Sequence, residues 1–181
     1  GVKLLSMGLL INESDPVAVR GPLATRYVQQ FLRNVAWGDV DFLILDLPPG
    51  TGDIQLTIVQ TAELDGVVVV TTPQEVALID ARKAIGLFER VETPILGIIE
   101  NMSYFQCPSD GKIYHIFGEG GGEREAAKLG VPLLGKIPLD ISTRSGGDEG
   151  RPVALEDPGQ NPVSAAFRQV AEQCARVVLD R

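Results

Sequence analysis

The chain has 181 residues, is 44% hydrophobic and carries a net charge of -8 at pH 7, enough apolar material for a single domain over 1–181 with one continuous core. Its 16 Lys and Arg are scattered rather than clustered, which argues against nucleic acid or an anionic membrane as partner. No apolar stretch reaches the ~18 residues of a membrane helix, and two cysteines, Cys107 and Cys174, suit a reducing compartment; a soluble, cytoplasmic protein is expected.

Lys3 to Met7 reads as a short apolar strand that begins abruptly, and Ile11 to Arg20 as a loop. Gly21-Pro22 opens a helix whose apolar positions, Leu23, Tyr27, Phe31 and Val35, recur at helical spacing until Trp37-Gly38 ends it. A strand then runs from Phe42 to Asp46, and a helix follows over Asp53 to Glu63. Gly66 to Thr72 is an unbroken β-branched run, the pattern of a strand covered on both faces. Val76 to Arg90 is a helix, Ile95 to Ile99 a further strand running into Glu100-Asn101. Between Ser103 and Phe117 aromatic flanks surround Cys107-Pro108-Ser109-Asp110-Gly111, which predicts a projecting hairpin or loop. Gly118 to Gly122 leads into a helix ending at Leu129, Val131 to Ile137 is the last strand, and Pro162 to Leu179 the closing helix. Strands alternating with helices predict an α/β fold, a mostly parallel sheet with helices on both faces. Ligands of such folds sit at the carboxyl ends of the strands, here Asp46, Thr71-Thr72-Pro73, Asn101 and Pro138-Leu139-Asp140.

The stretch from Phe42 to Asp53 carries the most chemistry. An apolar run ends in the Asp46 carboxylate, two prolines stop it, and Gly50-Thr51-Gly52 turns into a helix. A carboxylate at a strand end needs a cation, a partner or solvent. Glycines let backbone N–H groups approach an anion closely, and a helix N-terminus adds partial positive charge. One carboxylate for Mg²⁺ beside an amide cradle for phosphate is the chemistry of a nucleotide switch.

Asp46-Leu-Pro-Pro-Gly-Thr-Gly-Asp53, Thr71-Thr-Pro-Gln-Glu75, Glu100-Asn-Met-Ser103, Ile116-Phe-Gly-Glu-Gly-Gly-Gly122 and Gly135-Lys-Ile-Pro-Leu-Asp140, in this order, closely resemble the Mrp (ApbC) family. That family comprises ATP-binding iron–sulfur cluster carriers related to MinD-type deviant P-loop ATPases. The resemblance implies a P-loop NTPase-like fold, and a homodimeric ATPase that holds a [4Fe-4S] cluster between subunits and passes it to apo iron–sulfur proteins. It further implies catalytic positions at Asp46, Gly50 and Asp53, with Asp46 contacting Mg²⁺ through water and Gly50 offering its N–H to the terminal phosphate of ATP. Pro49 and Gly50 would line the nucleotide, and Asn101 with Pro138, Leu139 and Asp140 would frame the adenine. Cys107 would be the cluster ligand.

Two departures from the family pattern stand out. Its Gly-Lys-Ser/Thr phosphate loop does not occur in these residues, because Gly135-Lys136 is followed by Ile137 and Gly111-Lys112 by Ile113. The expectation is the C-terminal part of an ATPase domain, binding ATP weakly or not at all by itself. Relatives carry Cys-x-x-Cys on the projecting loop, whereas here Cys107 is followed by Asp110, and carboxylate is a harder, poorer ligand for cluster iron than thiolate. An ATP-gated binding module without a cluster, and a scaffold without nucleotide, are the alternatives. Cys174, on an apolar stripe with Phe167, Val170 and Val177, reads as a buried, inert thiol. His115 and Trp37 read as packing residues, the glycine run as a helix lead-in, and Arg20, Arg26 and Arg144 as solvated. No Ser-His-Asp, Gly-x-Ser-x-Gly or Gly-x-Gly-x-x-Gly arrangement supports hydrolase or dehydrogenase chemistry.

Overall fold

Residues 1–10, 21–48, 50 and 52–180 are described by the computed structural model, and they fall into two units, Gly1–Leu64 and Asp65–Arg181. The first is built on helices α1 (Gly21–Arg33) and α2 (Asp53–Thr61). The expected stripe on α1 is half-buried at Tyr27 and Phe31, whose ring centroids stand 6.5 Å apart, while Leu23 remains exposed. The Trp37 indole N–H donates to the Phe31 carbonyl at 3.0 Å and folds the chain back on the end of α1. α2 buries Gln55, Thr57 and Ile58.

Two strands expected in this unit do not form. Lys3 to Met7 is irregular and runs into a 3₁₀ turn, Met7–Leu9. Phe42 to Asp46 is also irregular, with Phe42, Leu43 and Ile44 exposed, Ile44 at 86%. Apolar, β-branched composition makes a strand only where a neighbour completes the ladder and a layer covers the face. Neither run is paired among the described residues.

The second unit has the expected alternation. Strand β1 (Val67–Thr71) is followed by α3 (Glu75–Arg90), β2 (Ile95–Glu100) and a hairpin of β3 (Phe105–Gln106) and β4 (Ile113–Tyr114). Then come α4 (Gly121–Leu129), β5 (Leu133–Lys136), α5 (Ile141–Asp148) and α6 (Pro162–Leu179). The sheet order is β1-β2-β5, all parallel, with Val69 beside Ile98 and Ile98 beside Leu133. Val69, Ile98, Ile85 of α3 and Ala126 of α4 form its core, and α6 packs on β5 and β2, burying Val163 and Val170. β1 departs from the reading of a strand covered on both faces: Val69 and Thr71 are buried but Val70 is 59% exposed. Helix α3 packs on β1 whereas α6 packs on β5 and β2, so among the described residues the Val70 side of β1 is left uncovered.

α5 was not foreseen. Its signal is Asp140 followed by Ser142 and Thr143: the Asp140 carboxylate accepts the Thr143 N–H at 2.9 Å and the Ser142 hydroxyl, a helix N-cap. Equally unforeseen is the tie between α3 and α4. The Arg82 guanidinium grips the buried Glu125 carboxylate with two bonds, 2.9 and 2.6 Å, and reaches Glu75 at 2.6 Å. Chiefly because of Arg82, and with help from Lys128 at 2.8 Å, the Glu125 carboxyl is held down at about 2 against the cost of burial.

Candidate functional site

The candidate residues divide between the two units: Asp46, Gly50 and Asp53 lie in the first, Asn101, Cys107 and Pro138 to Asp140 in the second. Pro49 and Arg20 lie outside the described residues. In the first unit Asp46 is exposed and, among the described residues, makes no hydrogen bond or ion pair that would occupy its carboxylate. That leaves its oxygens open to hydrated Mg²⁺. The turn behind it is held from below by Gln55, a residue the sequence reading passed over. Its buried carboxamide donates to the Pro48 carbonyl at 2.8 Å and to the Gly50 carbonyl at 2.9 Å. Gly50 has φ +100°, a conformation that a side chain would strain, and Asp53 is the first residue of α2. A buried amide that fixes the carbonyls of Pro48 and Gly50 constrains the direction of the Gly50 N–H.

In the second unit the predicted carboxyl edge exists. The Asn101 N–H donates to the Thr71 carbonyl at 2.7 Å, the Ile137 N–H to Glu100 at 2.9 Å, and the Leu139 N–H to Tyr104 at 2.7 Å. Thr71, Asn101 and the Pro138 to Asp140 loop are thereby drawn to one rim. The Asn101 side-chain oxygen accepts the Met102 N–H at 2.9 Å, so its NH₂ is the group it can offer outward. Met102 has φ +52°, an uncommon conformation for a residue with a side chain. The Thr72 hydroxyl on the same rim is buried and has no partner among the described residues, an acceptor and donor left unused in a place where folded proteins satisfy nearly all such groups.

Cys107 stands where β3 ends, in the projecting hairpin that the sequence predicts. The turn is closed by Gly111 N–H to the Cys107 carbonyl at 2.8 Å and Cys107 N–H to the Lys112 carbonyl at 2.9 Å. The thiol lies 3.0 Å from the Ser109 hydroxyl. That hydroxyl, with the N–H groups of Ser109 and Asp110, pulls the thiol below its ordinary range, while the Asp110 carboxylate opposes the shift. Asp110 accepts the Lys112 N–H at 3.0 Å, the main reason its own carboxyl is lowered. Thiol and carboxylate are thus both shifted toward their ionised forms on a turn whose residues from Pro108 to Gly111 are exposed. Among the described residues no group of three or more His, Cys, Asp or Glu could hold a metal ion.

The other candidates resolve as follows. The Gly118 to Gly122 run does lead into a helix, and the anion at that helix start is internal: the Gly122 N–H donates at 2.6 Å to the carboxylate of Glu100, which is wholly buried. His115 does not pack in an aromatic strand as expected. It is exposed, 3.3 Å from the Ser103 carbonyl and 3.6 Å from Glu119, because β4 ends at Tyr114 and the next residues turn outward. Arg144 pairs with Asp148 at 2.8 Å along α5. Cys174 is half-buried, and burial raises its thiol. No helix among the described residues is long and apolar enough to cross a membrane.

Comparison with known proteins bears on what this arrangement does. A family model described as ParA, NUBPL iron-transfer P-loop NTPase, matches residues 1–175. An iron-sulfur cluster carrier protein of Pyrococcus furiosus is 48% identical over 172 residues, covering 95% of this chain and 58% of the relative. A mitochondrial iron-sulfur protein required for NADH dehydrogenase from Arabidopsis thaliana is 47% identical over 176 residues, covering 97% of this chain and 56% of the relative. The chain thus spans little more than half the length of these relatives. Among solved structures, a nucleotide-binding protein of Archaeoglobus fulgidus in complex with ADP matches with TM-score 0.64 and 43% identity over 71% of this chain and 53% of that one. The cell division ATPase MinD of Pyrococcus furiosus matches with TM-score 0.62 and 24% identity, over 84% of this chain and 59% of that one, a likeness of fold.

Proposed function

The chain belongs to the ParA family of NUBPL-type iron-transfer P-loop NTPases, and on that premise we propose that it is part of an ATP-dependent carrier that assembles iron–sulfur clusters and delivers them to apo-proteins. The observation that carries this reading is Cys107: a half-buried thiol, lowered by Ser109, on a hairpin projecting beside the carboxyl rim of the sheet. Thiolate is the form that binds iron. One chain offers one such ligand, so the cargo is a [4Fe-4S] cluster shared between two copies, with Asp110 or a recipient protein completing its ligands. The working form is therefore a homodimer, in the cytoplasm, with 1–181 belonging to one ATPase domain.

The nucleotide part of the proposal takes the candidate residues of each unit separately. Asp46 would hold Mg²⁺ through water, and the metal would supply neutralising charge to the phosphates. Gly50, held by Gln55, would present its N–H to the terminal phosphate, with Pro49 and Asp53 its candidate neighbours in sequence. Asn101 offers its NH₂ to an acceptor on the adenine ring, and the Pro138 to Asp140 loop forms the other wall, its conformation fixed by the Asp140 cap. In a chain that includes a Gly-Lys-Ser/Thr phosphate loop, Asp46→Ala abolishes Mg²⁺-dependent hydrolysis; unchanged turnover removes Asp46 from the mechanism. Residues 1–181 alone bind ATP weakly or not at all, and a low-micromolar affinity by titration calorimetry refutes that.

Cluster binding is tested by anaerobic reconstitution, with iron counted per chain and charge-transfer absorbance recorded. Asp110→Cys raises iron loading if the hairpin is a cluster site. Asp110 is also the observation that favours a second reading, a MinD-like ATP-gated binding module without cargo. Absence of iron in both proteins would select it.

A further inference from the structure

Glu100 is the most deeply buried carboxylate of the described chain, 0% exposed at the end of the central strand β2, with no cation against it. An uncompensated charge in such a place is costly unless hydrogen bonds replace water. Both oxygens are used. One accepts the Ser103 hydroxyl at 2.5 Å, the other the Gly122 N–H at 2.6 Å, at the start of α4. Ser103 and Gly122 are the two ends of the excursion that carries Cys107.

The surrounding contacts make these ends converge. The Ser103 N–H donates to the Ile137 carbonyl at 2.9 Å, and its own carbonyl lies 3.3 Å from His115 Nδ1 on the return limb. At the far end, a Cβ on Gly121 would lie 2.3 Å from the Pro73 carbonyl oxygen and one on Gly122 3.1 Å from Glu100 itself. At Gly121 the helix start is thus pressed against the Pro73 backbone with no room for a side chain, and the helix dipole adds to the hold on the carboxylate.

We propose that Glu100 is the positioning residue of the Cys107 hairpin: one buried carboxylate grips both ends of the excursion from Ser103 to Gly122 and sets its place beside Asn101 on the rim. Its consequence for iron rests on the reading of Cys107 as cargo ligand; the clamp itself needs neither cluster nor nucleotide.

The test is amide hydrogen exchange on the 1–181 chain, followed by anaerobic iron loading of the same proteins. In Glu100→Ala the amides of Ser103, Leu139 and Gly122 exchange about tenfold faster or more, while those of Val69 and Ile98 on the β1 and β2 ladder change much less. Glu100→Gln restores most of the protection, because a carboxamide still accepts from Gly122 and donates to the Ser103 hydroxyl. Ser103→Ala removes one arm without emptying the site, and accelerates Ser103 and Leu139 more than Gly122. Ile98→Val serves as a general destabiliser that leaves the clamp intact. The proposal is overturned if Glu100→Ala and Ser103→Ala leave these amides unchanged, or if they accelerate only in step with the whole ladder, as in Ile98→Val. If the exchange pattern appears and the wild-type chain loads no iron, the clamp stands and the cargo reading falls; if iron loads equally in wild type and in Glu100→Ala with hairpin exchange unaltered, the clamp falls and the cargo reading stands.

Discussion

Two apolar runs of the same composition meet different fates in this chain. Ile95 to Glu100 is the central strand of a parallel sheet, with Ile98 wholly buried between β1 and β5. Phe42 to Asp46 has an equally apolar lead and an equally acidic end, yet it is irregular and exposes Ile44. The difference lies in the neighbours: β2 has a ladder on each side and helices over it, whereas the first run has no pairing among the described residues. Strand propensity is a statement about a half-buried pleated surface, and it is not realised without one.

The largest effect expected from this contrast is at the two isoleucines. Ile98→Ala should cost about 3 kcal/mol of stability, the lost transfer energy plus a cavity, while Ile44→Ala should change it by less than about 0.5 kcal/mol, as surface substitutions do. Urea unfolding of both variants measures this, and a large loss at Ile44 would show that the run is packed in solution.

Next in size is the Arg82–Glu125 tie. The folded-state Glu125 carboxyl titrates near 2, below its ordinary 4.5, so its stabilisation is present above about pH 4.5 and is lost as pH falls toward 2. Glu125→Gln should therefore cost on the order of 2 kcal/mol at pH 7, after allowing for solvent around Arg82. The gap to wild type should close in unfolding curves taken at successively lower pH, and a pH-independent gap would assign the loss to packing instead.

A smaller effect is expected at the turn behind Asp46. Gly50→Ala imposes a side chain at φ +100° and should cost about 1–2 kcal/mol in thermal denaturation, even though among the described residues no atom stands within 4 Å of the added carbon. No loss would mean that the turn can relax, and that Gln55 does not hold it. Smallest is the thiol: Ser109→Ala should slow alkylation of Cys107 by iodoacetamide near neutral pH by about two- to fivefold, since the hydrogen bond that lowers its pKa is gone. Mass spectrometry of the Cys107 peptide keeps Cys174 out of the measurement.

From the second unit, most of the architecture is legible in the residues alone. The β-branched run after Gly66, the strand after Pro94, the hairpin around Cys107 and the helix from Pro162 follow from periodicity and punctuation, local signals that need no partner. Asn101 and Pro138 to Asp140 could be assigned to a common rim because parallel strands present their carboxyl ends on one side. Helix α5 has a local signal too, the Asp140 cap ahead of Ser142 and Thr143.

What no local pattern contains is which acid is buried against what. Glu100, Glu125 and Gln55 look in sequence like ordinary polar residues at a strand end, on a helix and in a first turn. Their burial depends on residues 22, 43 and 5 positions away, Gly122, Arg82 and Gly50. The chain by itself determined its motifs, its family and the strand and helix order of the second unit, because those are written in short-range chemistry. Only the tertiary structure decided which apolar run becomes a strand and which carboxylate becomes a clamp, because ladders, buried charges and close approaches exist only between segments that folding brings together.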